Sequence, residues 1–577
     1  MQLRMPAVVC AFALLVPLGV VARPQTTGST AIYRKAMAAL GVCGADASCA
    51  REATAALVAG LGAQTDAAAT GRGGPAAWLG IGAGLRGTRA FAPDVPRWSL
   101  GVALRALYAS LDVTVDDALA RDIDRQVARQ RPDAAAAMAD LVAALVTSRA
   151  LAREAGAGSG IEDVLADPRR AFLLATVAGS GDADPALEAE WRDVQARIAR
   201  VDPVKMLQAG LVLTDAVASF ALSGPVEDID LPFVFIGGEG ENVHTVDRAL
   251  SVDMGGADIY TNNAGGGLVA IAGGTLALDL GAGNDIYDGG ERQGAQGFGG
   301  AGVGMLYDEG GSDRYVLEQF GQGGDVAGIG ILYDAGGGND RYTSPGVTPI
   351  GTKAASLGGI SMLIDEGGDD TYRQDGLDGF DWAAAGGVAL MADRGAGNDS
   401  YRADSLEVDL LGTKLFTAGP IQVSAEAGGA TIFLDEGGDD LYRCGEIVRQ
   451  PCQGGAGVGA FSLLWDRGGD DRYTMGQPFA DQIYVAALDL PGFPMGQGAG
   501  YGIAAPAGPG IGILYDEAGD DTYVAGAWAQ GFGSAGIGLL FDDAGGTDSY
   551  TVGATEHGAR TNGGTWLDGA LGIGIDR

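Results

Sequence analysis

The chain contains few histidines and lysines, and this shortage excludes several kinds of site. There are 2 histidines among 577 residues, and 4 lysines stand against 33 arginines. His244 and His557 lie at opposite ends of the second part of the chain, so a Ser-His-Asp or Cys-His arrangement is hard to build. No CxxC, G-x-S-x-G, HExxH or Walker motif occurs. The sequence therefore identifies no catalytic residue and no zinc site, and it favours a protein that is not an enzyme.

Basic residues are especially scarce in the C-terminal three-fifths. The formal net charge is −37, and from Leu231 onward there are 49 acidic residues and 15 basic ones. Binding of nucleic-acid phosphates requires lysine and arginine, so a nucleic-acid partner is excluded. Cations are the natural partners of such a chain, and a solvated acidic surface is the simpler alternative. The preference for arginine over lysine indicates a GC-rich, bacterial genome.

Residues 1–22 have the form of a signal peptide. Arg4 is followed by the apolar stretch Pro6–Val21 and by a small-residue cleavage site that ends at Ala22. A retained membrane anchor is the alternative, but the apolar run is shorter than the roughly 20 residues that a span needs. After cleavage we expect no further span, because Ala209–Leu222 is short and contains Asp215. The expected location is extracellular, either secreted or associated with the cell surface.

Four of the five cysteines form two close pairs in the sequence. Cys10 lies in the signal peptide, whereas Cys43 and Cys49, and Cys444 and Cys452, are each separated by a few residues. Local pairs in an exported chain are typical of disulfides that close small loops. We therefore predict two disulfides, Cys43–Cys49 and Cys444–Cys452.

Residues 23–230 form the first predicted domain, and their pattern is helical. Apolar residues recur at i, i+3, i+4 and i+7 in Leu100–Leu111, Ala134–Ala152 and Pro203–Leu222. Asp-Pro pairs at 167–168 and 202–203 mark turns or helix starts. The pattern predicts an α-helical bundle. We expect it to cap the N-terminal edge of the domain that follows, because an open sheet edge invites pairing with other chains.

Residues 231–577 repeat one unit: an apolar stretch, Asp, a Gly-rich corner, Asp, any residue, Tyr. Intervals between units are often 26 residues and otherwise longer, as stacked coils with inserted loops require. The first Asp of each unit is Asp253, Asp279, Asp308, Asp334, Asp365, Asp393, Asp435, Asp466, Asp516 or Asp542, with a partial unit at Asp568. The second is Asp258, Asp285, Asp313, Asp340, Asp370, Asp399, Asp440, Asp471, Asp521 or Asp548.

The repeat predicts a parallel β-solenoid of about ten coils, so that the whole chain is of the α + β class. Neighbouring strands would lie about 4.8 Å apart, and equivalent residues would form ladders. The Tyr ladder would stack its rings and present its hydroxyls at one edge. An up-and-down barrel is the alternative fold, but it would not favour one constant spacing between units.

Two Asp ladders create a charge problem. Carboxylates about 4.8 Å apart repel by about 1 kcal/mol per neighbour in water and by more in a protein. Raised pKa values, hydrogen bonds from corner amides, or cations would each relieve this repulsion, and cations would neutralise both ladders at once. Ca²⁺ accepts six to eight oxygens from carboxylates and carbonyls. The twenty aspartates of the repeat are therefore candidate Ca²⁺ ligands, and capping of turns by Asp side chains is the alternative.

The corners resemble RTX nonapeptide repeats, whose pattern is Gly-Gly-x-Gly-x-Asp-x-(large apolar)-x. Gly281–Tyr287, Gly336–Tyr342 and Gly395–Tyr401 carry the likeness, which covers the Gly-rich Asp corner of each repeat. In that family the Asp and Gly carbonyls bind Ca²⁺ between adjacent turns of a β-roll. The resemblance implies that the corner aspartates here do the same.

Long insertions are the expected recognition elements. Residues 403–425 and 474–509 interrupt the repeat, and long loops on a rigid scaffold often carry binding function. The sequence thus predicts a non-enzymatic Ca²⁺-binding solenoid that acts in adhesion or as a scaffold and binds a glycan or surface protein through these loops. A carbohydrate-active enzyme of the polysaccharide-lyase β-helix type is the alternative.

Overall fold

The structure is a computed structural model in which helices are followed by stacked parallel strands. It describes residues 30–577 apart from the stretches 180–184, 223, 225, 268–272, 346–351, 376–379, 405–406, 411–412, 417–421, 426–427, 445–450, 476–494, 502–507, 526–528, 535, 544, 553–561 and 568–570. The predicted signal peptide, His557 and Asp568 lie outside the described residues, as does most of the predicted 474–509 loop.

The helical region begins at Ala31 and ends at Ser219. Asp46, Asp116 and Asp202 each cap a helix N-terminus through their side chains, so the Asp-Pro at 202–203 starts a helix as predicted. A 3₁₀ turn covers Gly71–Gly73. The α-helices are α1 (Ala31–Leu40), α2 (Ala47–Thr65), α3 (Gly74–Arg86), α4 (Leu100–Ser110), α5 (Asp117–Val127), α6 (Pro132–Gly156), α7 (Ile161–Ala166), α8 (Pro168–Gly179), α9 (Pro185–Ile198) and α10 (Pro203–Ser219).

Strands occupy the rest of the described chain. The first half comprises β1 (Ile229–Leu231), β2 (Val234–Gly237), β3 (Val243–His244), β4 (Leu250–Asp253), β5 (Ile259–Tyr260), β6 (Gly274–Asp279), β7 (Ile286–Gln293), β8 (Gly299–Gly300), β9 (Val303–Asp308), β10 (Arg314–Gln319), β11 (Asp325–Val326), β12 (Ile329–Asp334), β13 (Arg341–Ser344), β14 (Ser356–Leu357), β15 (Ile360–Asp365), β16 (Thr371–Asp375), β17 (Phe380–Ala384), β18 (Val388–Asp393) and β19 (Ser400–Asp404). The second comprises β20 (Glu407–Leu410), β21 (Thr413–Phe416), β22 (Gln422–Ala425), β23 (Ala430–Asp435), β24 (Leu441–Cys444), β25 (Pro451–Cys452), β26 (Gly455–Ala456), β27 (Phe461–Asp466), β28 (Arg472–Met475), β29 (Met495–Gly496), β30 (Gly500–Tyr501), β31 (Ile511–Asp516), β32 (Thr522–Ala525), β33 (Gly533–Ser534), β34 (Ile537–Asp542), β35 (Ser549–Val552), β36 (Thr565–Leu567) and β37 (Gly572–Asp576).

Three large sheets run the length of this region, and their strands follow one another in chain order. They contain 14, 11 and 8 strands, and their repeating strands pair in parallel. Register is maintained by residue type, since Asp308 pairs with Asp334 and Tyr315 with Tyr342. The sequence prediction of a parallel β-solenoid-like fold after a helical region is therefore confirmed. β20 and β21 form a separate antiparallel hairpin inside the predicted 403–425 loop.

The repeating strands of the 14-stranded sheet, such as β9, β12 and β15, are buried on both faces. Leu306 and Leu332 point inward and contact the tyrosines of the 11-stranded sheet. Met305 and Ile331, their neighbours, point outward and share one hydrophobic core with the helices. Burial on two faces explains why these strands read as unbroken apolar runs.

The helices cover the outer face of the 14-stranded sheet. One of them, α5, also contacts its N-terminal edge strand β1, where the Gln126 side chain hydrogen-bonds to the backbone N–H and carbonyl of Asp230. α6, α3, α1 and α2 contact successively later parts of the sheet, from β6 to β37. Small residues allow the close approach: a Cβ on Gly74 would lie 1.8 Å from the Tyr333 hydroxyl, and one on Gly210 would lie 2.7 Å from Ile329. The end strands of the sheet, β1 and β36, pair antiparallel with β2 and β37.

One helix, α6, is long and apolar enough to cross a membrane by length and composition. It nevertheless packs against α4 and α10, and 56 % of its apolar window is buried. Arg149 on this helix is buried and donates a hydrogen bond to the Gly274 carbonyl in β6, at 2.5 Å. These contacts are those of a core helix. A buried core helix can be as long and as apolar as a membrane span.

Both predicted cysteine pairs lie at disulfide distance. The Cα–Cα distance is 5.4 Å for Cys43 and Cys49 and 6.8 Å for Cys444 and Cys452. The first pair joins the end of α1 to the start of α2. The second lies between β24 and β25, where both cysteines are buried against Met475.

Candidate metal centre

The two aspartates of each unit lie on either side of one sharp corner. The first ends a strand of the 14-stranded sheet, and the second immediately precedes a strand of the 11-stranded sheet. Corner glycines allow the coils to stack closely. A Cβ on Gly338 would lie 1.4 Å from the carbonyl oxygen of Gly311, and one on Gly397 would lie equally close to Gly368. Only glycine fits here, and its use brings the corners of successive coils into contact.

The first aspartates form a ladder, the first column, in which most oxygens are hydrogen-bonded within the protein. The Oδ1 atoms of Asp279 and Asp542 are exceptions, without a partner among the described residues. Oδ1 of Asp365 accepts a hydrogen bond from the Gly367 amide, at 3.0 Å. Oδ2 of Asp365 lies 2.8 Å from the Tyr342 hydroxyl and 3.3 Å from the Tyr372 hydroxyl. Asp308, Asp334, Asp435 and Asp466 make the same amide contact two residues ahead. The first column therefore caps the corner, as the structural alternative predicted, and it also anchors the tyrosines.

The tyrosines form a buried stack. Successive rings from Tyr260 to Tyr550 lie 4.6 to 5.0 Å apart, within 15° of parallel. The predicted stacking is confirmed. The hydroxyls all point the same way, to the buried aspartates of the first column. His244 stacks on Tyr260 at 4.4 Å, and its Nε2 lies 2.8 Å from Asp253 Oδ2, so this histidine begins the stack.

The second aspartates form a second column with a different hydrogen-bonding pattern. The backbone N–H of each Asp donates to Oδ1 of the Asp in the next coil, at 2.5 to 2.8 Å from Asp285 to Asp548. The other oxygen, Oδ2, is buried without a hydrogen-bond partner among the described residues in Asp258, Asp285, Asp313, Asp340, Asp370, Asp440, Asp471, Asp521 and Asp548. A buried carboxylate oxygen without a partner is costly unless a proton or a cation accompanies it.

Each corner brings three aspartates together, two from the second column and one from the first. In one group Asp313, Asp334 and Asp340 each offer an oxygen, and these oxygens lie within 4.8 Å of one another. The next groups along the sheet are Asp340, Asp365 and Asp370, and then Asp370, Asp393 and Asp399. Asp285, Asp313, Asp340 and Asp370 thus each belong to two groups, so neighbouring sites would share ligands along the column.

Burial raises the pKa values of these carboxyl groups, because it destabilises the charged form. Burial, and next the nearby Asp334 carboxylate, raise the pKa of Asp313 to about 8 and that of Asp340 to about 9. Burial likewise raises the pKa of Asp365 well above its ordinary value, with Asp334 as the next cause. A group with such a pKa holds a proton at neutral pH unless a cation takes its place.

The residues at the corner fit Ca²⁺. Three carboxylates converge, one oxygen is unsatisfied in every second-column Asp except Asp399, and glycine carbonyls line the same corner. Ca²⁺ accepts six to eight oxygens in variable geometry, whereas Mg²⁺ demands a near-ideal octahedron and retains water. The absence of nitrogen and sulfur ligands among these groups disfavours zinc.

Some residues of the array were not recognised as functional from the sequence. Gln296, which recurs twelve residues before a first Asp, donates from Nε2 to the carbonyls of Tyr287 and Val316 at 2.8 and 2.9 Å. Gln453 and Gln497 make equivalent bonds, so this ladder ties the tyrosine strands together. The sequence signal for Gln296 was its recurring distance of twelve residues from the first Asp of a unit. That spacing does not reveal which carbonyls the glutamine side chain contacts.

The first column also extends further than the sequence indicated. Asp542 pairs in register with Asp576, whereas the partial unit was expected at Asp568, which lies outside the described residues. Asp576 was missed because no corner or tyrosine follows it.

No protein-family model matches the chain, and neither does any curated protein or solved structure that was compared with it. The site is therefore interpreted from its own geometry.

Proposed function

We propose that the protein is an exported Ca²⁺-binding β-solenoid that acts outside the cell in adhesion or as a scaffold, without catalysis. The observation that carries this proposal is the buried, unpartnered Oδ2 of the second column. Its repetition on successive coils indicates a structural ion array, since an active site occurs once. Ca²⁺ would supply positive charge between the columns, and the aspartates of each three-residue group would hold it.

The proposal includes finer features of the architecture. Each Asp-corner-Tyr unit would be one coil, giving about ten coils in residues 231–577, and the helices of residues 23–230 would form a bundle. The corner's resemblance to RTX repeats supports the same role for the Asp-Gly corner. A signal peptide at residues 1–22 would deliver the chain to the outside, where Ca²⁺ is abundant and disulfides form.

Recognition of a glycan or of a surface protein would be the task of the inserted segments 403–425 and 474–509. Within the first segment, β20 and β21 form a two-stranded sheet separate from the three large ones, whereas β22 belongs to the 8-stranded sheet. A regular ladder presents the same groups on every coil, whereas such insertions differ from one another. This difference is what supports placing partner specificity in the insertions.

Thermal unfolding of the chain from residue 23 onward tests the proposal. Binding to the folded state alone adds about 2.7 kcal/mol when free Ca²⁺ is at 100 times Kd. The melting temperature should therefore rise with Ca²⁺ and fall with a chelator, and Mg²⁺ should have less effect. An equal melting temperature in Ca²⁺ and chelator would leave only the turn-capping role.

A matched pair of variants locates the ions. Asp313→Asn keeps the Oδ1 that accepts from the Asp285 N–H but removes the charge from two adjacent three-Asp groups. It should therefore reduce the Ca²⁺-dependent rise and the bound Ca²⁺ measured by equilibrium dialysis. Asp288→Asn makes the same change at an exposed position of β7 and should leave both unchanged. Equal effects of the two substitutions would argue against ions at the corner.

A further inference from the structure

A cleft of about 510 Å³ opens on the surface of the helical region, and all of its lining residues lie between Ala92 and Phe220. Two of its walls are α6 and α10, which pack against each other. The third is the segment 92–97, which forms neither helix nor strand. Binding sites for small molecules usually have volumes of about 300 to 1,000 Å³. The cleft is therefore large enough for a ligand, in a part of the chain that the proposed Ca²⁺ sites do not involve.

Each of the two helices places one aspartate in the cleft, at the same position of its lining face. Residues at i, i+3 and i+7 lie along one face of an α-helix. α6 lines the cleft at that spacing with Ala137, Asp140 and Ala144, and α10 does so with Val212, Asp215 and Ser219. The two carboxylates are thus set among small and apolar side chains.

The charged side chains that line the cleft form no ion pair in the part of the chain that the structure describes. This holds for Asp140 and Asp215, and also for Arg97 on the third wall, and all three residues are exposed. Partial burial raises the pKa of Asp215 above its ordinary value. Charges of both signs that share a cleft without pairing are satisfied together by a ligand that carries both.

The segment 92–97 has free backbone groups. Pro93 and Pro96 fix their own φ angles, and a residue that precedes a proline favours an extended backbone. Val95 lies between the two prolines and lines the cleft. Among the described residues, no backbone group of residues 92–97 hydrogen-bonds to another backbone group. A second extended chain can therefore pair with this segment, as bound peptides do with free sheet edges.

We propose that the cleft binds a short apolar peptide with free termini. The ammonium group of the peptide pairs with Asp140 and Asp215, and its carboxylate pairs with Arg97 through two parallel hydrogen bonds. Its backbone lies along the segment 92–97, and its side chains pack on the apolar lining, which includes Leu141. A cleft of this volume suits a peptide of about two to four residues. This inference goes beyond the proposed Ca²⁺-binding function and does not depend on it.

Two other classes of ligand fit the cleft less well. A fatty acid or another apolar anion pairs with Arg97 but leaves Asp140 and Asp215 without a partner. An apolar amine has the opposite defect, because it leaves Arg97 without a partner. A peptide with free ends satisfies all three charges, and its amide groups also match the backbone of the segment 92–97.

Isothermal titration calorimetry of the chain from residue 23 onward tests this inference with two probes, leucyl-leucine and trileucine. Both should bind. N-acetyl-leucyl-leucine lacks the ammonium group and leucyl-leucinamide lacks the carboxylate, so each should bind about tenfold more weakly than leucyl-leucine, since hydrogen bonds to a charged group are lost. Octanoate and octylamine, the apolar anion and the apolar amine, should also bind more weakly than leucyl-leucine.

Variants of the charged residues assign each end of the peptide. Asp215→Asn should weaken the binding of leucyl-leucine about tenfold but leave that of the acetylated peptide unchanged, because the acetylated peptide has no ammonium group. Arg97→Gln should weaken leucyl-leucine equally and leave the amide unchanged. Asp117→Asn and Arg129→Gln make the same changes at exposed positions outside the cleft, and both should bind leucyl-leucine like the unmodified protein.

The inference is wrong if neither free peptide binds, if the blocked peptides bind as tightly as leucyl-leucine, or if octanoate or octylamine binds more tightly than both peptides. It is also wrong if the two control variants lose as much affinity as Asp215→Asn and Arg97→Gln. Melting temperatures of all four variants check that each is folded. None of these outcomes reports on Ca²⁺ binding, because no lining residue of the cleft belongs to the strands.

Discussion

The two aspartate columns differ although they are built from the same residue five or six positions apart. In the first column, Asp365 satisfies both oxygens with a corner amide and two tyrosine hydroxyls. In the second, Asp370 satisfies Oδ1 with the Asp340 amide and leaves Oδ2 without a partner among the described residues. The comparison shows that the position of an Asp in the corner decides which hydrogen bonds its carboxylate makes. In the first column both oxygens stabilise the fold, whereas in the second one oxygen is left without a protein partner and could bind an ion.

The largest loss of stability should come from a substitution that pushes the corners of neighbouring coils apart, because both Asp columns lie at these corners. Gly338→Ala would place a Cβ 1.4 Å from the Gly311 carbonyl oxygen, so the coils must move apart. We expect a loss of more than about 4 kcal/mol, or failure to fold, with impaired Ca²⁺ binding. Gly337→Ala is the control, because its Cβ would meet nothing closer than 3.8 Å. Urea unfolding measures both, and equal stability of the two variants would contradict the close stacking.

The pH dependence of the free energy of unfolding should reveal how many protons the two Asp columns bind in the folded state. Burial raises the pKa of Asp313 to about 8 and that of Asp340 to about 9, above the model-compound value of 3.8. The folded state therefore keeps protons that the unfolded state has released, and its stability is lost as pH rises through the folded pKa. Each unit of difference corresponds to about 1.4 kcal/mol.

In chelator, the free energy of unfolding should accordingly fall from about pH 5 to about pH 9. Saturating Ca²⁺ should flatten this fall, because an ion replaces the protons of the second column. Chemical unfolding at several pH values measures the slope. A chelated protein that gains stability as pH rises would show that the columns are ionised without cations.

Removal of one tyrosine hydroxyl should weaken the first column without touching the second. Tyr372→Phe deletes the contacts to Asp365 Oδ2 at 3.3 Å and to Asp393 Oδ2 at 3.0 Å but keeps the stacked ring. We expect a loss of about 1 to 2 kcal/mol, equal in Ca²⁺ and in chelator. A selective loss of the Ca²⁺-dependent increment would instead mean that the tyrosines hold the ion site.

The smallest effect should come from a carboxylate on the outer side of the same corner. Glu309 directly follows a first-column Asp and pairs with Arg72 of the helical region at 2.8 Å, with both side chains partly exposed. Glu309→Gln should cost less than about 1 kcal/mol, because exposed ion pairs are screened by water and salt. Differential scanning calorimetry would show a small shift that is independent of Ca²⁺. A large shift would mean that the helix–sheet contact depends on this pair.

Periodicity alone determined the ladders. Because the spacing from first Asp to second Asp to Tyr is nearly constant, any stacking in register must align Asp with Asp and Tyr with Tyr, and the structure pairs them so. It also determined that a helical region precedes the strands, since apolar residues follow a period near 3.6 before residue 230 and a repeat of about 26 after it. Close cysteine spacing was likewise sufficient to pair the cysteines correctly.

Only the tertiary structure decided which residues each face of a strand packs against. The run Val303–Asp308 shows that a strand is apolar on both sides, but not that Leu306 contacts tyrosines while Met305 contacts helices. For the same reason the sequence did not reveal that most helices cover the outer face of the sheet, or that the tyrosine hydroxyls contact the first Asp column. Hydrogen bonds between coils depend on backbone directions at the corner, which residue spacing does not encode. The unsatisfied Oδ2 of the second column therefore became visible only once the coils were stacked.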